Sequence, residues 1–358
     1  MNRLLSLMQQ ELRLFLSNKV MMILYLGGPV LYGAMFGLVY VKGKFTDLPV
    51  IVIDKDHSPT SIKLVDMLDE TDVLKLTRVT PDNVDLEKAF LAEAAFGAVV
   101  IPDHFEADVL RGRRPEVNAY INNTNLLAAG YVNRAIQAVL GSKKEMFHLT
   151  TIRLFNRASN YFMYIWPSYL AIILQSVVMV VVALSFATMQ ETGTLGKLYA
   201  ESGYSAARLM AGKILPYILF SFVLLGIYGL YFFLFRQSFP LHTGIVIMIT
   251  LLFTLTNSFI GMIAGLLFKS QLSALQFLMI LSMPVYISSG FSWPFDQDGP
   301  LARLFGFIFP YMPYVNGFRI LLIEQGRAAD ISDYIWMQCL QLVGYFLAAV
   351  GILRYIKK

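Results

Sequence analysis

The sequence predicts a polytopic α-helical membrane protein with a soluble α/β domain inserted after its first span. Three observations carry that prediction. Of 358 residues, 56% are apolar and only 15% charged, with a mean hydropathy of +0.59, whereas soluble globular chains are about half apolar and a quarter charged. The apolar excess gathers into runs of roughly 20 residues, the length that crosses about 30 Å of hydrocarbon at 1.5 Å per residue. Between the first and second of these runs lies one contiguous polar block, residues 42–160. Together they exclude a disordered tail, a coiled coil and a single soluble enzyme domain.

Residues 1–19 open the chain. Leu4, Leu5, Met8, Leu12, Phe15 and Leu16 recur at helical spacing, with Arg3, Ser6, Gln9, Gln10, Arg13 and Ser17 on the other face. This pattern predicts an amphipathic helix lying in the membrane surface with its arginines toward anionic headgroups; the alternative is the polar start of the first span. That span covers residues 20–41, interrupted by Gly27, Gly28 and Pro29. The polar block alternates β-rich runs (Pro49–Asp54, Val73–Val79, Phe96–Ile101, Glu116–Asn122) with helical ones (Thr60–Glu70, Asn83–Glu93, Asp103–Arg111, Leu126–Phe155). Such alternation implies a small α/β domain.

Residues 161–358 hold five further spans, near Ile165–Met189, Ile214–Phe235, Gly244–Phe268, Leu272–Ser289 and Ile335–Ile352. Residues 293–326 are apolar but carry Pro294, Pro300, Pro310 and Pro313, which argues against a straight span. Two short helices dipping partway into the membrane from one side fit better, provided protein buries the loose backbone.

Basic residues in short loops set the orientation. With the N-terminus inside, Arg3, Arg13, Lys19, Lys197, Arg208, Lys213, Lys269, Arg354, Lys357 and Lys358 are cytoplasmic, against Arg236, Arg303, Arg319 and Arg327 outside. The larger set belongs inside, so both termini are expected in the cytoplasm and the α/β domain outside.

The sequence shows no energy source of its own. No G-x-x-x-x-G-K-[ST], H-E-x-x-H or G-x-S-x-G occurs. The spans as drawn lack acidic and basic residues in their central turns, and intramembrane carboxylates are the usual mark of ion-coupled carriers. A partner must therefore supply the energy. The net charge of +5 is not gathered into a basic run with aromatics, so no nucleic acid is expected. One cysteine, Cys339, and four scattered histidines give neither a disulfide nor metal-ligand spacing, and His57, in Asp54-Lys55-Asp56-His57, reads as a strand-end turn.

Uncharged polar residues are the remaining candidates within the spans. Thr250, Thr254, Asn257, Ser258, Gly261 and Gly265 share one helical face, which either lines a conduit or subunit seam or packs closely through its small residues. Gln175, Gln276, Gln338 and Gln341 are weaker conduit candidates.

The most informative segment is 190–213. Here Glu191, Gly193, Thr194 and Leu195, followed by Gly212, Lys213, Ile214, Leu215 and Pro216, resemble the E-x-G-T-L…g-K-i-l-P signature of ABC-2 type exporter permeases. Ser289-Gly290-Phe291-Ser292-Trp293-Pro294 resembles the S-G-x-x-x-P that opens that family's outer re-entrant helices. Pro310, Pro313, Asn316, Gly317 and Arg319 resemble the segment that follows. Order and topology agree along essentially the whole chain. The resemblance departs at Gly196, where the family often has an acid, and over Tyr199–Gly203, where it often has a proline.

The resemblance implies a type V ABC exporter-like fold of six transmembrane helices in the bacterial inner (cytoplasmic) membrane. It also implies a second permease half, identical or a paralogue, and a cytoplasmic ABC ATPase subunit that holds ATP and Mg, with no cofactor or catalytic residue on this chain. ATPase closure would push on the connector through Glu191, Gly193, Thr194, Leu195, Lys197 and Leu198, and on the N-terminal helix. Gly290, Pro294, Pro310, Arg319 and Glu324 would belong to the outer re-entrant segment, Arg319 and Glu324 pairing, meeting substrate or snorkelling. The outer domain would act as a lid or as a dock for a periplasmic adaptor. Drugs or other amphiphiles are the expected cargo and membrane lipid a contact; lipid or polysaccharide export, or a membrane-anchored sensor or scaffold, are the alternatives.

Overall fold

The computed structural model describes residues 3–113, 115–122, 126–141, 160–268, 270–291 and 299–356. The chain divides into two compact units, one of residues 1–43 with 153–358 and one of residues 44–152.

The first unit begins with α1 (Arg3–Ser17), followed by α2 (Lys19–Met22), a π-helical turn Ile23–Gly27 and α3 (Gly28–Tyr40). The Asn18 side chain accepts from the amides of Val20 and Met21 and starts α2, so α1 ends where the apolar rod begins. The inward face of α1 is Leu7, Glu11 and Phe15. Leu5 and Leu16, expected on the apolar face, are exposed.

In the second unit, β1 (Leu48–Asp54), α4 (Pro59–Asp69), β2 (Leu74–Thr80), α5 (Leu86–Glu93), β3 (Gly97–Ile101), α6 (Phe105–Leu110), β4 (Asn118–Ile121) and α7 (Leu126–Gly141) follow one another. The sheet order is β2-β1-β3-β4, with β1 parallel to β2 and β3, and β4 antiparallel to β3. Alternation along β1 feeds two cores. Val50 and Val52 pack with Leu64, Leu68 and Val132 from α4 and α7, while Ile51 and Ile53 pack with Ala89 of α5. The helix expected over Leu126–Phe155 is described to Gly141; its remainder lies outside the described residues, as do Asn123, Thr124, Lys269, Pro294, Lys357 and Lys358.

The first unit resumes with α8 (Tyr161–Glu191), α9 (Leu195–Glu201), α10 (Ala206–Leu234), α11 (Thr243–Leu267), α12 (Gln271–Ile287), α13 (Pro300–Ile308), α14 (Tyr311–Ile323), a 3₁₀ turn Ala328–Ile331 and α15 (Ser332–Ile356). Five helical stretches among the described residues are long and apolar enough to cross a membrane: 19–40, 161–191, 206–234, 243–267 and 328–356. The sixth expected span is the 17-residue apolar α12, about 25 Å long at 1.5 Å per residue, at the short end of the range for helices that cross a membrane.

Helix α8 is the core of this unit, buried on most sides. It lies against α11 at van der Waals distance because two glycines of α11 meet its backbone. A Cβ on Gly261 would run into the Met179 carbonyl, and one on Gly265 into that of Ala183. At these two glycines α8 and α11 pack backbone to backbone within one chain.

Candidate functional site

Helix α8 ends in a Schellman turn. Gly193, at φ +65°, takes the left-handed position that glycine accepts without strain. The Thr194 amide then returns to the Met189 carbonyl (3.1 Å) and the Gly193 amide to that of Gln190 (3.3 Å), closing the orphan carbonyls of the helix end. After this turn α9 runs back toward α10. Leu195 is buried and Leu198 half-buried, anchoring α9, while Lys197 and Gly196 are exposed. The Arg208 guanidinium binds the Ser202 carbonyl and the Ser205 hydroxyl accepts from the Arg208 amide.

Ser205 caps α10, whose first residue is Ala206. The sequence assigned Lys213 to the connector and began the span at Ile214; the structure corrects both. Residues 206–211 are good helix formers with a capping serine before them, so the helix starts two turns earlier. Lys213 then lies inside α10, 4% exposed.

The charge of Lys213 is met by Glu11 of α1, itself 1% exposed. The Tyr217 hydroxyl, one turn along α10, donates to the other Glu11 oxygen. Lys213 also sits 5.8 Å from the Phe186 ring centre. Around this triad Phe15, Tyr25, Tyr217 and Phe220 form an aromatic cluster with ring separations of 4.8–6.2 Å, and the Tyr25 hydroxyl donates to the Tyr217 carbonyl. Gly212 lets α1 approach, since a Cβ there would lie 2.6 Å from Leu7 Cβ. Opposite charges removed from water together are stable only with their remaining hydrogen-bonding capacity filled; Tyr217 fills part of that capacity for Glu11.

Beside the triad is a cavity of about 380 Å³ walled by α1, the end of α8, the 192–194 turn and α9. Glu11 and Lys213 form part of its wall, with Gln10, Thr188, Thr192, Thr194, Lys197, Leu198 and Glu201 around them. The Gln10 amide donates to Glu201 at 3.0 Å, so α1 and α9 are joined across it.

Glu191, expected to be available to a partner, is engaged within the chain. Its two oxygens accept from the backbone amide and the side chain of Gln271, at 2.7 and 2.6 Å. It ties the end of α8 to the start of α12, where a negative charge also favours the helix dipole.

Residues of the Ser289–Phe291 and Pro310–Arg319 motifs pack together. Gly290 follows α12 at φ +76°, and the Asn316 amide of α14 donates to the Ser289 carbonyl at 2.8 Å. Tyr164 donates to the Phe291 carbonyl at 2.6 Å. Pro310 precedes α14 and breaks it from α13. Arg319 and Glu324 form no ion pair with each other among the described residues; Arg319 lies instead in the small group that includes Tyr164 and Phe291. Pro294 lies outside the described residues.

Of the conduit candidates, Gln175, Thr250, Thr254, Asn257 and Ser258 are fully buried, whereas Gln276 is exposed on α12. Thr250 meets the Tyr314 hydroxyl at 3.1 Å. The register that sets Gly261 on Met179 and Gly265 on Ala183 puts Asn257 at the level of Gln175, one turn away in each helix. Neither amide atom of Gln175, nor the Asn257 carbonyl oxygen, has a hydrogen-bond partner. Among the described residues no cluster of His, Cys, Asp and Glu could hold a metal ion.

The sequence pattern of the family described as "ABC-2 family transporter protein" matches residues 19–352. The chain belongs to the ABC-2 transporter family. No curated protein shows significant similarity to it. As an ABC-2 family member it is a transport membrane subunit, and that family generally works with a cytoplasmic ABC ATPase. Sequence reasoning had included Lys213 through its motif but missed Glu11 and Tyr217. The signal was present: Glu11 stands one helical turn from both Leu7 and Phe15, a charge inside an apolar stripe.

Proposed function

We propose that this ABC-2 permease is the membrane half of an ATP-driven exporter of amphiphilic small molecules, powered by an ATPase on a separate chain that carries ATP and Mg. The ATPase docks on the face formed by α1, the 192–194 turn and α9, with Lys197 and Leu198 as contact residues. The observation that carries this reading is the buried Glu11–Lys213–Tyr217 triad beside the cavity. It makes α1 and the start of α10 move as one body, so force on the docking face passes into a membrane helix rather than into a loose surface segment.

In this reading both termini and the docking face are cytoplasmic, by the bias of basic residues, and the α/β unit is extracytoplasmic, where it serves as a lid or adaptor dock. A second permease half, the same chain or a paralogue, completes the pathway in the bacterial inner membrane. The test is disulfide or photo-cross-linking from Lys197→Cys in the complex purified with its ATPase. Adducts to the ATPase that change yield with ATP support the docking face; adducts absent there but formed from the opposite end of α10 sink it.

A further inference from the structure

A second cavity, of about 340 Å³, opens between α10 and α11 and is closed behind by α8 and α14. It lies over the last four turns of α10 and the first two of α11, well away from the ATPase-docking face. We propose that it is a binding site for one hydrocarbon chain of a bilayer phospholipid, admitted sideways from the membrane. The proposal is independent of what drives transport.

The mouth carries Phe222 and Ile247, both exposed, on two helices long and apolar enough to span a membrane. Lipid hydrocarbon is therefore what meets it. No charged residue lines the cavity, so a headgroup finds no counterpart inside. Four lining side chains carry hydroxyls, and each is already engaged. Thr243 donates to the Pro240 carbonyl (3.1 Å), Tyr228 to that of Leu170 (3.1 Å) and Thr250 to that of Val246 (2.7 Å), leaving Tyr314 to donate to Thr250. With all four hydroxyl hydrogens donated within the protein, a ligand oxygen finds no lining side-chain donor here and would lose its own hydration, whereas an unfunctionalised chain loses nothing. The volume is at the lower end of the roughly 300–1,000 Å³ typical of ligand pockets, suited to a chain and not to a whole lipid. Two wall residues are glycines, Gly226 and Gly229, and a Cβ on either would meet nothing within 4 Å. The wall is thus open by lack of side chain, and can be filled without a clash.

The experiment uses the full-length protein in phosphatidylcholine vesicles doped with phosphatidylcholine that bears a diazirine on one acyl chain. After photolysis, adducts are mapped by mass spectrometry. Adducts over residues 222–232 and 243–250 are expected at least fivefold above those on the exposed face of α15 around Leu340 and Leu347. Gly229→Leu, with Gly226→Leu as a second filled variant, should cut them at least fivefold, and Gly344→Leu on α15, also in open space, should leave them unchanged. Equal labelling of the cavity and α15 in the unaltered protein would overturn the proposal, whether or not the variants fold. So would labelling that persists in a folded filled variant, or adducts abolished by an equimolar single-chain amphiphile, which would assign the cavity to cargo.

Discussion

Replacing Lys213 by Met should release α1 from α10. The substitution keeps the length and the apolar stem of the side chain and removes only the charge that faces Glu11. Both partners are almost wholly buried, and removing one member of a buried ion pair typically costs about 3–5 kcal/mol, because the other is left uncompensated. At 1.36 kcal/mol per factor of ten, that is roughly a 100-fold to 5,000-fold rise in the local opening of α1, up to the limit set by its remaining apolar contacts. Hydrogen exchange on the purified protein reads it directly through the amides of residues 7–15, without requiring reversible global unfolding. Glu11→Gln should act in the same direction. The double replacement Glu11→Leu with Lys213→Met should return exchange to within about tenfold of the original, since a buried pair exchanged for apolar residues of similar volume is often neutral or stabilising. Exchange in α1 unchanged within about twofold in either single variant would refute the reasoning. So would a double variant that opens as readily as the sum of the singles.

Three further outcomes follow from other contacts. Gly261→Val forces a branched side chain onto the Met179 carbonyl and should destabilise the α8–α11 seam by about 1–3 kcal/mol or more, lowering the thermal midpoint in detergent, while Gly351→Val in open space should not. Glu191→Ala should insert in the membrane normally yet loosen the α8–α12 junction and weaken cargo-stimulated ATP turnover in the reconstituted complex, and unchanged stimulation removes that role. In the α/β unit, desolvation tends to raise the Asp56 carboxyl pKa, but hydrogen bonds from the Ser58 side chain and the Glu106, His104 and Phe105 amides outweigh it and hold the group below the usual carboxylate range. Its stabilisation is then full above the unfolded value of about 3.9 and fades as pH falls through the lower folded value. Amide protection at Glu106, corrected for intrinsic rate, should drop over that window, and Asp56→Asn should flatten the dependence.

The sequence made the membrane class legible because span composition is dictated by hydrocarbon thickness, and it made the α/β alternation legible because strand and helix periods differ. Gly193, just after an apolar run, is where a left-handed helix end costs least, and α8 ends there. The sequence misplaced the start of α10 because Lys213 was read as solvent-facing. A lysine is rarely buried without a partner, and the carboxylate that meets this one comes from a helix some 200 residues earlier in the chain. Glu191 was similarly ambiguous: an exposed acid at a helix end can serve a partner protein or the next helix, and only the geometry showed Gln271 occupying both oxygens. On the polar face of α11, Gly261 and Gly265 lie against the backbone of α8, a close approach that small residues at helical spacing allow.

Transport by the purified chain, with and without its ATPase, in sealed proteoliposomes tests the central claim most directly. Accumulation of a fluorescent amphiphile against its gradient should require both the ATPase and ATP, stay unchanged when proton and sodium gradients are collapsed, and fall sharply with Lys213→Met. Uphill movement by this chain alone in pure lipid, driven by an ion gradient, would contradict it.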